Sequence, residues 1–333
     1  DNVFDAQSVA DVIAQWLHAN RRESSPRFLM GESYGTMRAG IIVRRVPGLH
    51  FDGVLLVSGP GVPDDAPADT RFVGAVPSMA AGAWYHERVD RRGLTSAEFF
   101  REALAFARGP YAEALARGAS LGTEERQRVA TQLASFIGLP VDLIMAHDLR
   151  IDANTWMFNL LKDQGLRTGR LDVRVTGPLA PGQEGAIDDP ALGVVKRGQS
   201  PGPAPTPASI GAVPSPVVGR YLVETLKFPS VDVYVGVNFL ANSKWTFQPD
   251  PGTEANLAAA MARDRHLRLF VTSGYFDYGA SDGQRFLGAG VPEDRFTFVP
   301  LPGPHEVYAG EENRAAFNAA VRRFVTAAGN QAH

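Results

Sequence analysis

The chain has 333 residues, 44% of them hydrophobic and 21% charged, with a formal net charge of −3. That length buries a sizeable core as one large domain or two smaller ones. The near-neutral balance supplies neither a basic field for nucleic acid nor a block of like charge for a membrane surface. No apolar run approaches the roughly 20 residues of a membrane-spanning helix, and the absence of cysteine excludes disulfides, thiolate catalysis and cysteine metal sites. His18, His50, His86, His147, His266, His305 and His333 are scattered without paired spacing, so no metal and no other cofactor is expected.

In chain order, "FDAQSVADVIAQWLHAN" has helical periodicity, with Val9, Val12, Ile13, Trp16 and Leu17 as the expected buried face. "RRESSP" interrupts it. "RFLM" reads as a short strand ending at Gly31, and "GTMRAGIIVRRV" as a helix with Met37, Ile41 and Ile42 inward, stopped by Pro47 and Gly48. "FDGVLLVSGPG" suits a buried strand of a parallel sheet, which completes a βαβ unit.

From about residue 70, "SAEFFREALAFARGPYAEALARG", "TEERQRVATQLASFIG" and "ANTWMFNLLKDQG" read as helices without a strand between the first two. Residues 177–219 are rich in proline and glycine, which suits a lid, a binding segment or disorder rather than regular structure. "NLAAAMARDRHL" is then helical, "LRLFVTSG" and "RFTFVPL" are strands, and "NRAAFNAAVRRFVTAA" is a closing amphipathic helix. The expected organisation is α/β over residues 1–69, a helical insertion with its proline- and glycine-rich segment over 70–219, and α/β again over 220–333.

Chemistry concentrates first in "FLMGESYGTMRAG", where Gly31, Ser33 and Gly35 form G-x-S-x-G between a strand and a helix. In that context the pattern is a nucleophile elbow, a turn so tight that bulk at the flanking glycines is expected to clash with the backbone. A serine needs a base, and the base needs an orienting acid. "LFVTSGYFD" puts Asp277 just past a late strand, and "FVPLPGPHEVY" puts His305 just past the next, in the chain order Ser, Asp, His of an α/β-hydrolase. His305 would take the proton of Ser33, and Asp277 would orient the imidazole. Asp282 and Glu306 are competing carboxylates, ranked behind Asp277. The backbone N–H of Tyr34 is the expected first donor of the oxyanion hole. Trp84, Tyr85, Trp156 and Trp245 are candidates for a pocket wall, with core packing the commoner fate of helix aromatics. Arg170, Asp172 and Arg174 read as a structural ion-pair set. For Gly31 and Gly35 a plain strand-to-helix turn remains the alternative.

These residues resemble the serine carboxypeptidases of the α/β-hydrolase fold. "GESYGT" is similar to that family's nucleophile motif, "SGYFD" to its S-G-x-x-D acid motif and "GPHEVY" to its G-H-M segment. "AWYHERV", "YAEALARGASL", "LASFIGLP", "NLLKDQGLRTGRLDVRVTG" and "KWTF" are similar to stretches of its bacterial members, so the likeness spans nearly the whole chain. The resemblance implies a mostly parallel sheet with a helical cap, and release of C-terminal residues from peptides through an acyl-enzyme. It also implies that Glu32 binds the free C-terminal carboxylate of the substrate. Two carboxyl groups share a hydrogen bond only when one is protonated, so peptidase activity is expected to be best in acid.

The chain departs from the family in three ways. Pro304 stands directly before His305, where glycine is usual, and Glu306 stands where methionine is common. Only 32 residues precede Ser33, so the strands, the glycine-rich oxyanion motif and the asparagine that partners the glutamate in the family have no counterpart. The expectation is a C-terminal portion of a longer protein, with an apolar strand edge prone to aggregation and activity lowered by the loss of one oxyanion donor, which typically costs ~10²–10³ in rate. A periplasmic or secreted location is favoured, with compartment and oligomeric state left open. An esterase or acyltransferase of the same fold, and a catalytically silent binding homologue, are the alternative readings.

Overall fold

The computed structural model describes residues 1–59, 69–179, 189–192, 212–229, 234–278 and 283–329. Asp282 and much of the proline- and glycine-rich stretch lie outside these residues.

The apolar runs form the centre of the molecule. Four strands, β1 (Phe28–Glu32), β2 (Gly53–Val57), β3 (Arg268–Gly274) and β4 (Phe296–Leu301), make one parallel sheet in that spatial order. Glu32 pairs with Val57, Val57 with Thr272 and Thr272 with Val299, so all four carboxyl ends point to one side. Helices cover both faces, as a parallel sheet requires. On one face Val54, Leu56, Leu269 and Val271 pack with helices α1 (Asn2–Ala19), α2 (Tyr34–Arg45) and α3 (Thr253–Arg263). On the other, Leu55 and Phe270 meet Ala320 and Phe324 of α4 (Glu311–Gly329). The period of two along each strand delivers alternate side chains to the two layers. The outer side of β1 pairs with no strand among the described residues.

The inward face of α1 matches the expected one at Val9, Ile13 and Leu17, which pack on the core, and differs at Val12 and Trp16. Ala6, Ala10 and Leu17 are buried, whereas Val12 is 65% exposed and Trp16 58%. The small side chains of Ala6 and Ala10 define the line of close approach to the core and leave the larger apolar groups on the flank. Asp5 fixes that rotation by accepting from Arg38 Nε at 2.7 Å and from Arg38 Nη2 at 3.1 Å.

A second core lies in the helical region, where Thr70–Tyr85, Ser96–Phe106 and Thr123–Ile137 enclose Phe99, Phe106, Phe136 and Trp156. Thr95 and Glu98 cap the Ser96 helix reciprocally. This core also takes in Tyr275 and Phe276, and Phe100 stacks on Tyr275 at 4.5 Å. Two short antiparallel pairs that the sequence reading missed stand apart from the central sheet. Leu166–Thr168 pairs with Thr176–Pro178, and Ala212–Pro214 pairs with Val235–Asn238.

Candidate active site

At the carboxyl end of β1 the chain turns directly into α2 through Ser33, whose φ is 54° and ψ −124°. A non-glycine residue in this region costs about 1–3 kcal/mol and persists only where its surroundings impose it. Two contacts impose it here. Ser33 N–H donates to Val57 O of the neighbouring strand at 3.0 Å. Gly31 lies so close to the first turn of α2 that a Cβ there would stand 2.1 Å from Gly35 O. The expectation for Gly35 is corrected, because a Cβ at that position meets nothing within 4 Å. The clash belongs to one glycine only, since Gly31 faces the turn and Gly35 faces open space.

A serine at a helix N-cap ordinarily accepts from an amide of the first turn. Ser33 makes no such side-chain bond, so capping does not explain it. Tyr34 N–H, at the first helical position, has no acceptor within the helix, and the helix dipole favours negative charge beside it. The Tyr34 ring turns elsewhere. Its hydroxyl donates to Asp5 Oδ2 at 3.1 Å, and its face meets Trp245 edge-on at 5.7 Å. Burial first, then Asp5, push this phenol up to about 12. Of the four aromatic candidates, Trp245 stands beside the elbow, while Trp156 is fully buried and donates to Ile137 O.

Past β3 and β4 the structure joins Asp277 to His305, with Nδ1 donating to Oδ2 at 2.9 Å. Asp277 is 3% exposed. Burial pushes its carboxyl up, against the pull of the imidazole and of Arg170. Burial pulls His305 down, but the Asp277 bond and the charges of Asp277, Glu306 and Glu32 outweigh it, so the imidazole titrates above its ordinary value. Glu306 is exposed and is not bonded to the imidazole.

Strand spacing shows what this arrangement demands. β4 lies three strand positions from β1, roughly 14 Å at about 4.8 Å per strand, so the histidine loop must fold back across the sheet end. It does so through two contacts. Ser58, just past β2 with φ 47°, donates from Oγ to His305 O at 2.5 Å. Tyr308 donates from its hydroxyl to Glu32 Oε2 at 2.7 Å and lies 3.0 Å from Oε1. Ser33, Glu32, Asp277 and His305 thus gather at one end of the sheet. Ser33 Oγ and the imidazole are not hydrogen-bonded to each other in this structure.

Residues 169–173 strap the two loops together. Val173 N–H donates to Phe276 O at 2.9 Å, Tyr278 N–H to Arg170 O at 2.8 Å and His305 N–H to Leu171 O at 2.8 Å. Asp189 holds the strap by accepting from the Arg170 and Leu171 amides. Arg174 and Asp172 form the expected ion pair at 2.8 Å, whereas Arg170 contributes its backbone. Gly274 and Gly303 allow the loops to touch, for a Cβ on Gly274 would stand 2.1 Å from Gly303 O. Pro304, the departure before the histidine, is buried in this contact.

Ser58, Tyr308 and Leu171 escaped the sequence reading. The only local signals were a hydroxyl closing an apolar run in "LLVSGPG" and a tyrosine three residues past the histidine. A groove of about 410 Å³ runs from Val9 and Met30 to Glu32, Ser33 and Tyr34. A larger cavity of about 760 Å³ lies at the opposite end of the sheet, beside Arg27, Asp52 and His266. Its acids are engaged locally: Asp52 accepts from Arg27 N–H and Asp264 from His266 N–H. The smaller groove touches Ser33 and Glu32, though not His305 or Asp277, and is the candidate binding site on the serine side. Comparison of the chain with protein-family models, with curated proteins and with solved structures returns no match.

Proposed function

We propose that the chain is a serine hydrolase of the α/β-hydrolase fold, in which residues 70–219 form a cap and Ser33, His305 and Asp277 act as nucleophile, base and orienting acid. The observation that carries this reading is the buried Asp277–His305 bond at 2.9 Å, on the side of the sheet where Ser33 is held at φ 54°. His305 Nε2 removes the Ser33 proton as Oγ attacks a carbonyl carbon, Asp277 stabilises the imidazolium, and His305 returns the proton to the leaving group. Tyr34 N–H stabilises the oxyanion. The substrate is a peptide with a free C-terminus, whose carboxylate meets Glu32 in the groove beside β1.

The test is labelling by a fluorophosphonate, which reports Ser33 reactivity even when turnover is slow. Labelling of the wild type and none of Ser33→Ala supports the hydrolase. Faster cleavage of free-acid than of amidated peptides then supports a carboxypeptidase, and labelling without any preference for the free acid supports an esterase or acyltransferase. A second reading, a silent homologue that keeps the elbow as a turn, is favoured by the missing bond between Ser33 Oγ and the imidazole, and absence of labelling would support it.

A further inference from the structure

The histidine loop carries a second functional group whose placement the triad does not explain. Tyr308 stands three residues past His305, and its hydroxyl reaches the carboxylate of Glu32, beside the serine, at 2.7 Å and 3.0 Å. The ring packs on Phe317 of α4 at 5.5 Å, which fixes its direction. Burial, together with the Glu32 bond, pushes the phenol up to about 12, so it keeps its proton as a donor across the ordinary pH range. The charged groups facing this pair are Glu306 and His305 of the same loop.

We propose that Tyr308 is a positioning residue that orients the Glu32 carboxyl for a substrate's terminal carboxylate and so helps set the preference for free-acid peptides. The inference rests on the carboxypeptidase reading. A phenol has one hydrogen to donate. Spent on Glu32 Oε2, it makes that oxygen the acceptor and leaves Oε1 to carry the proton when Glu32 is protonated. The hydroxyl of Oε1 then donates to the incoming carboxylate. Without Tyr308, either oxygen could carry the proton, and the side chain could swing out of register with Ser33.

The experiment compares kcat and KM on a blocked dipeptide with a free terminal carboxylate and on its methyl ester, in wild type, Tyr308→Phe, Glu32→Ala and the double variant. Tyr308→Phe keeps the ring on Phe317 and removes only the hydroxyl. The ratio of acid to ester kcat/KM is expected to fall about tenfold, the scale of one lost hydrogen bond to a charged group, chiefly through KM on the acid. In the Glu32→Ala background the same substitution is expected to change the ratio no further, because Tyr308 acts through Glu32. An unchanged ratio in Tyr308→Phe, or additive losses in the double variant, overturns the proposal and leaves the carboxypeptidase reading standing. A wild type that does not favour the acid overturns both, and a fluorophosphonate-reactive Ser33 in that protein would still mark a hydrolase.

Discussion

The two halves of the candidate site are built to different standards. The acid and histidine loops are over-determined, tied by three backbone hydrogen bonds to the 169–173 strap, by the Gly274–Gly303 contact and by the hydroxyl of Ser58. The serine half sits on a strand that pairs on one side among the described residues, and its strained torsion is held by the Ser33 amide bond to Val57, by Thr36 bonding to Ser33 O and by the close approach of Gly31. Strain is therefore placed where support is thinner, and rigidity where the proposed proton transfer would need a fixed line. Disturbance on the β1 side should move the serine, whereas disturbance on the β4 side should threaten the fold before it changes the chemistry.

The sharpest break of that contrast is chemical. Ser33→Ala is expected to abolish fluorophosphonate labelling while leaving the denaturation midpoint near that of the wild type, and His305→Ala to lower labelling by ~10⁴-fold or more and also to lower the midpoint, because it strips the buried Asp277 of its partner. Next in size are the glycines. Gly274→Ala drives a Cβ toward two carbonyl oxygens and should cost more than about 3 kcal/mol in urea unfolding. Gly31→Ala should abolish labelling with a smaller loss of stability. Gly35→Ala should be neutral or stabilising by up to about 1 kcal/mol, since its Cβ is free and the unfolded chain loses freedom.

Ser58→Ala removes the bond that draws the histidine loop back over β2. It should cost about 1 kcal/mol of stability and slow labelling with no change in substrate preference. The pH dependence sharpens the contrast further. In the proposed triad His305 must be neutral to accept the Ser33 proton, and its value is raised in the fold, so labelling should fall on acidification with a midpoint above about 6.5, which opposes the acid optimum expected from Glu32 alone. For the same reason the imidazolium stabilises the fold in acid, and that contribution is lost as pH rises through the folded-state value. The protonation state suited to the proposed chemistry is thus the less stabilising one. Smallest of all, Val12→Ser and Trp16→Ser on α1 should each shift stability by less than about 0.5 kcal/mol, whereas Leu17→Ala should cost about 2–5 kcal/mol.

Much of this was legible in the residues. The two inner strands, β2 and β3, are apolar runs buried on both faces, and composition marks such runs directly, whereas β1 and β4 are only partly buried. Ser33, Asp277 and His305 follow from a short motif and from chain order, because the fold places each at a strand end. The rest depends on direction rather than type. Whether Val12 or Ala10 faces inward turns on which stripe permits close approach, and the larger side chain misled the expectation. Gly31 and Gly35 look alike in a string, yet only one aims its Cα hydrogen at a carbonyl. Ser58, Tyr308 and the strap act through contacts between segments far apart along the chain, which no local window contains.

The strap has a consequence for how the protein comes to life. Leu171 and His305 lie more than a hundred residues apart, so the bond between them closes a long loop and belongs among the non-local contacts of folding. A molecule can complete its sheet while the imidazole still lacks its final orientation. Labelling of the serine should therefore lag behind burial of the core during refolding.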